Sequence, residues 1–317
     1  MEYNKPIAAM RPGDDVEGFY VLKDALLKTT AAGKPFLTGV LADRSGTIDL
    51  KVWDYTGPVG ANPDDIGRVV KIRAQISEFK GSPQLTAGRI RMAADGDSYD
   101  VSALVPVAPI DIDARLDEIR RLLGTLADAD YRAVAETMLT RHLDAFRSIP
   151  AAKSVHHSFL SGLLMHTSNM LRLADFLAGL YGDIIDRSLL LTGTLLHDFA
   201  KEREFTFSGL GLVTDYSVPG QLLGHLVLGA QETAQVAREL GIPEEKSMLL
   251  QHLILSHHGE PEFGAAVRPQ CAEAELLSEI DLIDSRMEIY TEALQDVPAG
   301  RFSARIFALD KKIYHHG

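Results

Sequence analysis

At 317 residues the chain has room for two ordinary domains and a sizeable core, and 46% hydrophobic against 24% charged residues is a globular balance. Its one cysteine, Cys271, excludes an intramolecular disulfide and a cysteine-based zinc knuckle, and fits a reducing cytoplasm. The net charge of −12 excludes polyanion binding through bulk charge, but residues 1–100 carry 13 Lys+Arg against 14 Asp+Glu and the remainder 19 against 30, so a nucleic-acid patch is expected in the first third. The opening "MEYNKPIAAMRPGDD" has no charged start followed by an apolar run, so no signal peptide is expected. No stretch approaches 18 uninterrupted apolar residues, and no membrane span is expected.

The first hundred residues read as strands and turns. "KPFLTGVLAD", "GTIDLKVWDY" and "GRVVKIRAQISEF" are rich in Val, Ile, Thr and aromatics and are separated by clusters such as "DRSG" and "TGPVGANPDD". Ile48, Leu50 and Val52 alternate with Asp49, Lys51 and Trp53; Val70, Ile72, Ala74 and Ile76 alternate with Lys71, Arg73 and Gln75. Period-2 alternation gives each strand one buried face. Five or so such strands suit a small closed barrel, with the oligonucleotide-binding (OB) fold the leading candidate. Trp53 beside Lys51, and Lys71 beside Arg73, have the makeup of a single-strand platform, where bases stack and phosphates meet positive charge. In the alternative, Trp53 packs against a loop or the other domain and the cations are merely solvated. Phe36, Tyr55, Phe79 and Lys80 are further candidate contacts.

A stretch containing Asp, Gly and Pro then reads as a linker, with Asp113 the expected cap of the helix that follows. Beyond it, apolar residues recur at three- and four-residue steps in 113–124, 128–148, 157–180, 187–201, 219–240, 243–258 and 271–294, so the chain is expected to be helical almost to its end. Nine of the 11 histidines fall between residues 142 and 258. His166 lies on a stripe with Leu163 and Met170, and His225 continues one begun by Leu222. His257 shares a face with Leu250 and Leu253, His258 follows Ile254, and Asp281 stands four residues after Leu277. With the adjacent pair His197-Asp198, seven ligand-type residues fall on inward faces of separate helices. Polar groups on apolar stripes are costly unless paired or coordinating, so a metal cluster is expected.

The order His166, His197-Asp198, His225, His257-His258, Asp281 resembles the HD superfamily of metal-dependent phosphohydrolases. More narrowly, "HHSFLSGLLMHT", "LLLTGTLLHDFAKEREF", "GQLLGHLVLG" and "LILSHHGEPEFG" resemble the YhaM family of 3′–5′ exoribonucleases, and "GKPFLTGVLADRSGTIDLKVWD" resembles that family's N-terminal domain. The resemblance implies a multidomain chain: an all-β OB-fold barrel over 1–94, a linker over 95–112 and an all-α HD domain over 113–317. Ala200 stands where the family usually has glycine before the lysine of the HD motif. Gly162 stands where some related trinuclear enzymes carry a glutamate ligand, so two ions rather than three are expected. The Gly-Tyr-Pro of cyclic-dinucleotide phosphodiesterases does not follow His257-His258, so cyclic di-GMP is not the expected substrate.

By the same resemblance, His166, His197, Asp198 and Asp281 would hold one ion, and Asp198 would bridge to a second held by His225, His257 and His258. The mixed imidazole and carboxylate set favours Mn, Fe, Co, Ni or Zn over magnesium; family precedent puts manganese first. Lys201, one helical turn beyond His197, would neutralise charge developing on phosphoryl oxygens; its plainer reading is an exposed helix-end cation. His157 resembles a family position near the site. The expected activity is metal-dependent 3′–5′ hydrolysis of single-stranded RNA, or single-stranded DNA, to nucleoside monophosphates in the cytoplasm, with homo-oligomerisation left open. Two alternatives stand beside it: a phosphohydrolase of small nucleotides with a regulatory barrel, and a nucleic-acid-binding adaptor with a structural metal site.

Overall fold

A computed structural model describes residues 2–79, 81–152 and 159–317. The chain divides into two compact units, the first running to Val107 and the second from Ala108, with Ser208–Leu210 grouped with the first. No helix among the described residues is long and apolar enough to cross a membrane.

The strands of the first unit are β1 (Glu2–Tyr3), β2 (Asp15–Thr29), β3 (Pro35–Asp43), β4 (Gly46–Trp53), β5 (Val69–Phe79) and β6 (Ser82–Met92). Their order is β1-β2-β3-β4-β6-β5, and β2 also pairs with β5, so the sheet closes on itself. The length of β2, 15 residues, makes closure possible. Its first half, Asp15–Val21, lies antiparallel to β5, and its second half lies antiparallel to β3. A register shift between Leu22 and Asp24 bends the strand from one partner to the other. On the far side β4 and β6 run parallel, joined where Asp49–Lys51 meet Gln84–Thr86. Five main strands in this order make an OB-fold barrel. The alternation seen in the sequence supplies its core: Ile48, Leu50, Val52, Val70, Ile72, Ala74 and Ile76 are all buried.

The stretch 95–112 is more ordered than a plain linker. It holds the one-turn helix α1 (Val101–Leu104), capped by Asp100, and buries Leu104, Val105 and Ala108. The remaining helices are α2 (Ile112–Gly124), α3 (Ala129–Ser148), α4 (Gly162–Leu180), α5 (Arg187–Leu196), α6 (Lys201–Glu204), α7 (Val218–Glu239), α8 (Glu244–Ser256) and α9 (Ala272–Leu294). The cap of α2 is Asp111, whose carboxylate accepts from the Ala114 N–H at 3.0 Å; Asp113 sits in the first turn instead. Helix α4 begins only at Gly162, because Ser161 takes a left-handed φ of 60° that no helix continues.

Helix α5 explains its own apolar sequence. Every residue from Ser188 to Leu196 is buried, and the helix touches α3, α4, α8 and α9. A helix apolar on all sides must be enclosed by others. It stops at Leu196, whereas the periodicity predicts one helix to 201; residues 197–200 form a turn and α6 restarts at Lys201. Two short antiparallel ribbons interrupt the helical unit, Phe205–Phe207 with Val213–Tyr216 and Arg301–Phe302 with Tyr314–His315.

Candidate metal centre

The turn after α5 accounts for the adjacent His197 and Asp198. A straight helix would spread neighbouring side chains by about 100°. Here the chain stays helical through His197, whose N–H bonds the Gly193 carbonyl at 3.0 Å, and passes into a turn at the end of the enclosed α5, where His197 is 0% and Asp198 2% exposed. Four other helices bring the remaining residues to the same place: His166 from α4, His225 from α7, His257 and His258 from the end of α8, and Asp281 from α9.

The two oxygens of Asp198 face different neighbours. Oδ2 lies 3.3 Å from His197 Nε2 and 4.0 Å from His166 Nε2. Oδ1 lies 3.3 Å from His225 Nε2 and 3.8 Å from His257 Nε2. The donor atoms of His166, His197 and Asp198 lie within 4.8 Å of one another, and so do those of His225, His257 and His258. Asp281 joins the first group, its Oδ1 3.2 Å from His166 Nε2.

The imidazoles are oriented from behind. His197 Nδ1–H donates to the Thr194 carbonyl at 2.7 Å and His257 Nδ1–H to that of Ile254 at 2.8 Å. His166 Nδ1–H donates to Asp284 at 2.7 Å, and His225 Nδ1–H to Glu204 Oε1 at 2.9 Å. Each bond turns Nε2 toward the centre, the usual support for a ligating histidine. His197 Nε2, Asp198 Oδ1, His225 Nε2 and His258 Nδ1 are buried without a hydrogen-bond partner among the described residues. These orphaned polar atoms belong to the two groups of ligand-type residues and lack a partner that buried polar atoms ordinarily have; divalent ions fit that donor set.

The electrostatics agree at Asp198, Asp281, His257 and His258, whereas at His166 burial is outweighed by Asp281 and Asp284, which carry the imidazole up to about 9. Burial opposes charge on Asp198, yet Lys201, His197 and His225 hold its carboxyl well below the usual range. Burial likewise opposes charge on Asp281, and His166 overrides it downward. Burial, with neighbouring imidazoles adding to it, pushes His257 well below its ordinary value and His258 down to about 4, so both present lone pairs at neutral pH.

Helix α7 meets the site through two glycines. A Cβ at Gly220 would stand 2.1 Å from the Glu204 carbonyl, so only glycine lets the first turn of α7 lie on α6. At Gly224, φ of 71° and ψ of 164° break the helix. The kink frees the His225 N–H to donate to Glu204 Oε1 at 2.9 Å, the same oxygen that holds its ring. It also corrects the sequence stripe: Leu222 is 77% exposed while His225 is buried.

Asp198, Lys201, His225, His257, His258 and Asp281 line one cavity of 1020 Å³, rimmed by Tyr216, Phe263, Arg268 and Arg286. Lys201 is no surface cation: its side chain is only 13% exposed and its Nζ donates to Asp198 Oδ2 at 2.6 Å. Arg268 is paired with Glu260, whereas Arg286 has no ion-pair partner among the described residues. Sequence reasoning missed Glu204 and Asp284, which look like ordinary helix acids. Their only signal is spacing, Glu204 three residues after Lys201 and Asp284 three after Asp281, on the same helix faces.

On the barrel, Trp53 is 53% exposed and lies against Phe36, ring centres 5.2 Å apart. Lys51 sits over the Phe36 ring and donates to Thr38. Lys71 is drawn to Glu17 at 3.3 Å, while Arg73 is exposed. Phe79 is exposed at the end of β5, and Tyr55 uses its hydroxyl to accept from the Val59 N–H. Lys80 and His157 lie outside the described residues.

The family model for the HD domain matches residues 163–286. The chain is 37% identical to the 3′–5′ exoribonuclease YhaM of Halalkalibacterium halodurans over 96% of this chain and 93% of that one. It is 35% identical to the protein of the same name from Listeria innocua, over 96% of each, and 35% identical to that of Shouchella clausii, over 98% of this chain and 96% of that one. Among solved structures, the second OB-fold domain of replication protein A from Methanococcus maripaludis covers 31% of this chain and all of its own length, at 11% identity and a TM-score of 0.22. With full-length identity above one third and an HD domain carrying the metal-type cluster, the chain belongs to the YhaM family of 3′–5′ exoribonucleases.

Proposed function

We infer that this protein is a metal-dependent 3′–5′ exoribonuclease, releasing nucleoside monophosphates from single-stranded RNA. The observation that carries the reading is Asp198: its Oδ2 faces His197 and His166, and its Oδ1 faces His225 and His257. That division suits a carboxylate that two ions could share: His166, His197 and Asp281 would hold one with it, and His225, His257 and His258 the other. Bound there, divalent ions supply Lewis-acid polarisation of phosphoryl oxygens and activation of water for in-line attack.

The chain's own residues do the rest. Asp284, Glu204 and the carbonyls of Thr194 and Ile254 hold the imidazoles in the ligating tautomer. Lys201, largely enclosed beside Asp198, offers a positive charge where phosphoryl oxygens gain negative charge. Phe263 and Tyr216, both exposed at the rim, offer faces for a terminal base, and Arg286 an uncommitted cation for a neighbouring phosphate. The imidazole and carboxylate donors suit manganese, iron, cobalt, nickel or zinc, and manganese is the first to test. Trp53, Phe36 and Lys51 support the barrel as a platform for single strands.

The test is a time course on 5′-labelled RNA, 5′-labelled DNA and mononucleotides across a metal panel. A ladder of shortening 5′-labelled RNA, with monophosphates released in step, is the expected result. Hydrolysis of mononucleotides with RNA left intact would return the chain to a small-nucleotide phosphohydrolase.

A further inference from the structure

We propose that β5 and β6 carry a phosphate-binding cleft centred on Arg73 and Arg89, which takes the backbone of single-stranded nucleic acid. The proposal rests on the exoribonuclease reading and adds a second binding site to the barrel, separate from the aromatic pair on β3 and β4. Arg73 and Arg89 are direct cross-strand partners, and Lys71 and Arg91 are the next pair along. Like charges set opposite one another destabilise a sheet. Here two such pairs stand side by side in a chain of net charge −12.

The outer pair is neutralised. Lys71 Nζ lies 3.3 Å from Glu17, and Arg91 makes a two-pronged bond to Asp97 at 2.6 and 2.7 Å. Glu17 is also the register partner of Arg73, but its carboxylate goes to Lys71. Arg73 and Arg89 are both exposed and have no ion-pair partner among the described residues. Two positive charges therefore face one another with no internal acid to satisfy them.

The backbone between them is irregular in a way that suits a ligand. Arg73 pairs with Arg89 and Ala74 with Ala87, so Gly88 is an extra residue with no partner on β5. Bulges re-aim side chains and leave their extra residue unpaired. A Cβ added at Gly88 would meet nothing within 4 Å, so the glycine is not required by packing. It opens the strand to close approach. Around it lies a cleft of 520 Å³ lined by Lys71, Arg73, Gly88, Arg89 and Arg91 among others, with Glu17 its one carboxylate. Guanidinium pairs are suited to planar, bidentate bonding to phosphate oxygens.

The test measures binding of a fluorescent 12-nucleotide oligoadenylate RNA to the full chain, without divalent ions, over a series of KCl concentrations. The parent is measured first: no RNA binding there would overturn the exoribonuclease reading itself. The variant is Arg73→Gln with Arg89→Gln. Its control is Arg120→Gln with Arg121→Gln, which removes the same charge from the exposed face of α2. With two phosphates no longer neutralised, the log–log salt slope should become shallower by roughly 1.4, at about 0.7 per phosphate for a single strand. Affinity at low salt should fall about tenfold or more, with the control unchanged. Relief of like-charge repulsion should hold or raise the melting temperature; if the double variant fails to fold, Arg89→Gln alone should give about half the slope change. An unchanged slope, or equal weakening in the control, overturns the cleft. A third arm adds inorganic phosphate: saturable phosphate binding to the parent that the RNA does not displace would make this a free-anion site and overturn the proposal as well.

Discussion

Lys201 is the residue whose chemistry is most exposed to test. With its side chain only 13% exposed and its Nζ 2.6 Å from Asp198, it does not serve as a solvated helix-end charge. Burial alone would lower its pKa, but Asp198 raises it, so it stays cationic. Lys201→Ala should lower turnover on RNA by roughly 10²–10³, the scale for removing one stabilising donor, while bound metal is retained. Unchanged turnover at saturating RNA would leave it no catalytic part. His142 is the residue the sequence hid. In sequence it is a lone histidine outside every motif, yet its ring is held at 2.7 Å from Glu202 and 3.0 Å from Glu232. Burial lowers its pKa, but the two glutamates override that and carry it up to about 9. Because this lies above the unfolded value of about 6.5, its stabilisation is complete below pH 6.5 and lost as pH rises through about 9. Glu202 from α6 and Glu232 from α7 are the acids facing it, with Arg203 3.8 Å from Glu232. His142→Ala should therefore lose up to about 3 kcal/mol at pH 6 in urea melts, and less at pH 9.5. A gap independent of pH would contradict the buried ion cluster. The inward placing of His166 and His257 was legible from their apolar stripes; the roles of His142, Glu204 and Asp284 were not, because each depends on a partner from another helix.

At the level of elements, the site depends on helices that stop or bend. Helix α5 ends at Leu196 so that His197 and Asp198 share a turn, and α7 bends at Gly224 so that His225 reaches Glu204. Neither break was legible: apolar periodicity runs through 187–201, and "GQLLGHLVLG" reads as one amphipathic stretch. The seven residues still come together in the structure, although His225 does so through the kink and not through the stripe with Leu222. Gly224→Ala isolates the bend. An added Cβ meets only Glu204 Oε1, at an ordinary 3.8 Å, so the substitution acts through backbone strain rather than a clash. At φ 71° and ψ 164° the strain should cost about 1–3 kcal/mol. The variant should melt earlier and bind one metal equivalent fewer than the parent, because His225 leaves its position. Full metal binding in a strained but folded variant would show that the kink does not set that ligand.

At the scale of the whole molecule, the charge is unevenly shared: residues 1–100 are nearly neutral and the remainder carries the acidic excess. Strand alternation made the barrel legible, whereas its closure through the two-partner strand β2 depends on pairings 50 or so residues apart that no local pattern encodes. If Trp53 stacks a base, Trp53→Ala should weaken oligonucleotide binding by roughly 5- to 150-fold, at about 1–3 kcal/mol per stacked base. Its exposure argues against a compensating loss of core packing; equal binding by variant and parent would remove it from the RNA path. At the candidate metal centre, Asp198 is proposed to be the carboxylate that two ions would share. Electron paramagnetic resonance of the protein loaded with manganese(II) tests it most directly. Two ions per chain with a spin-coupled spectrum, the coupling abolished in Asp198→Ala, is the predicted result; a single ion, or two magnetically isolated ions in the parent, would contradict it.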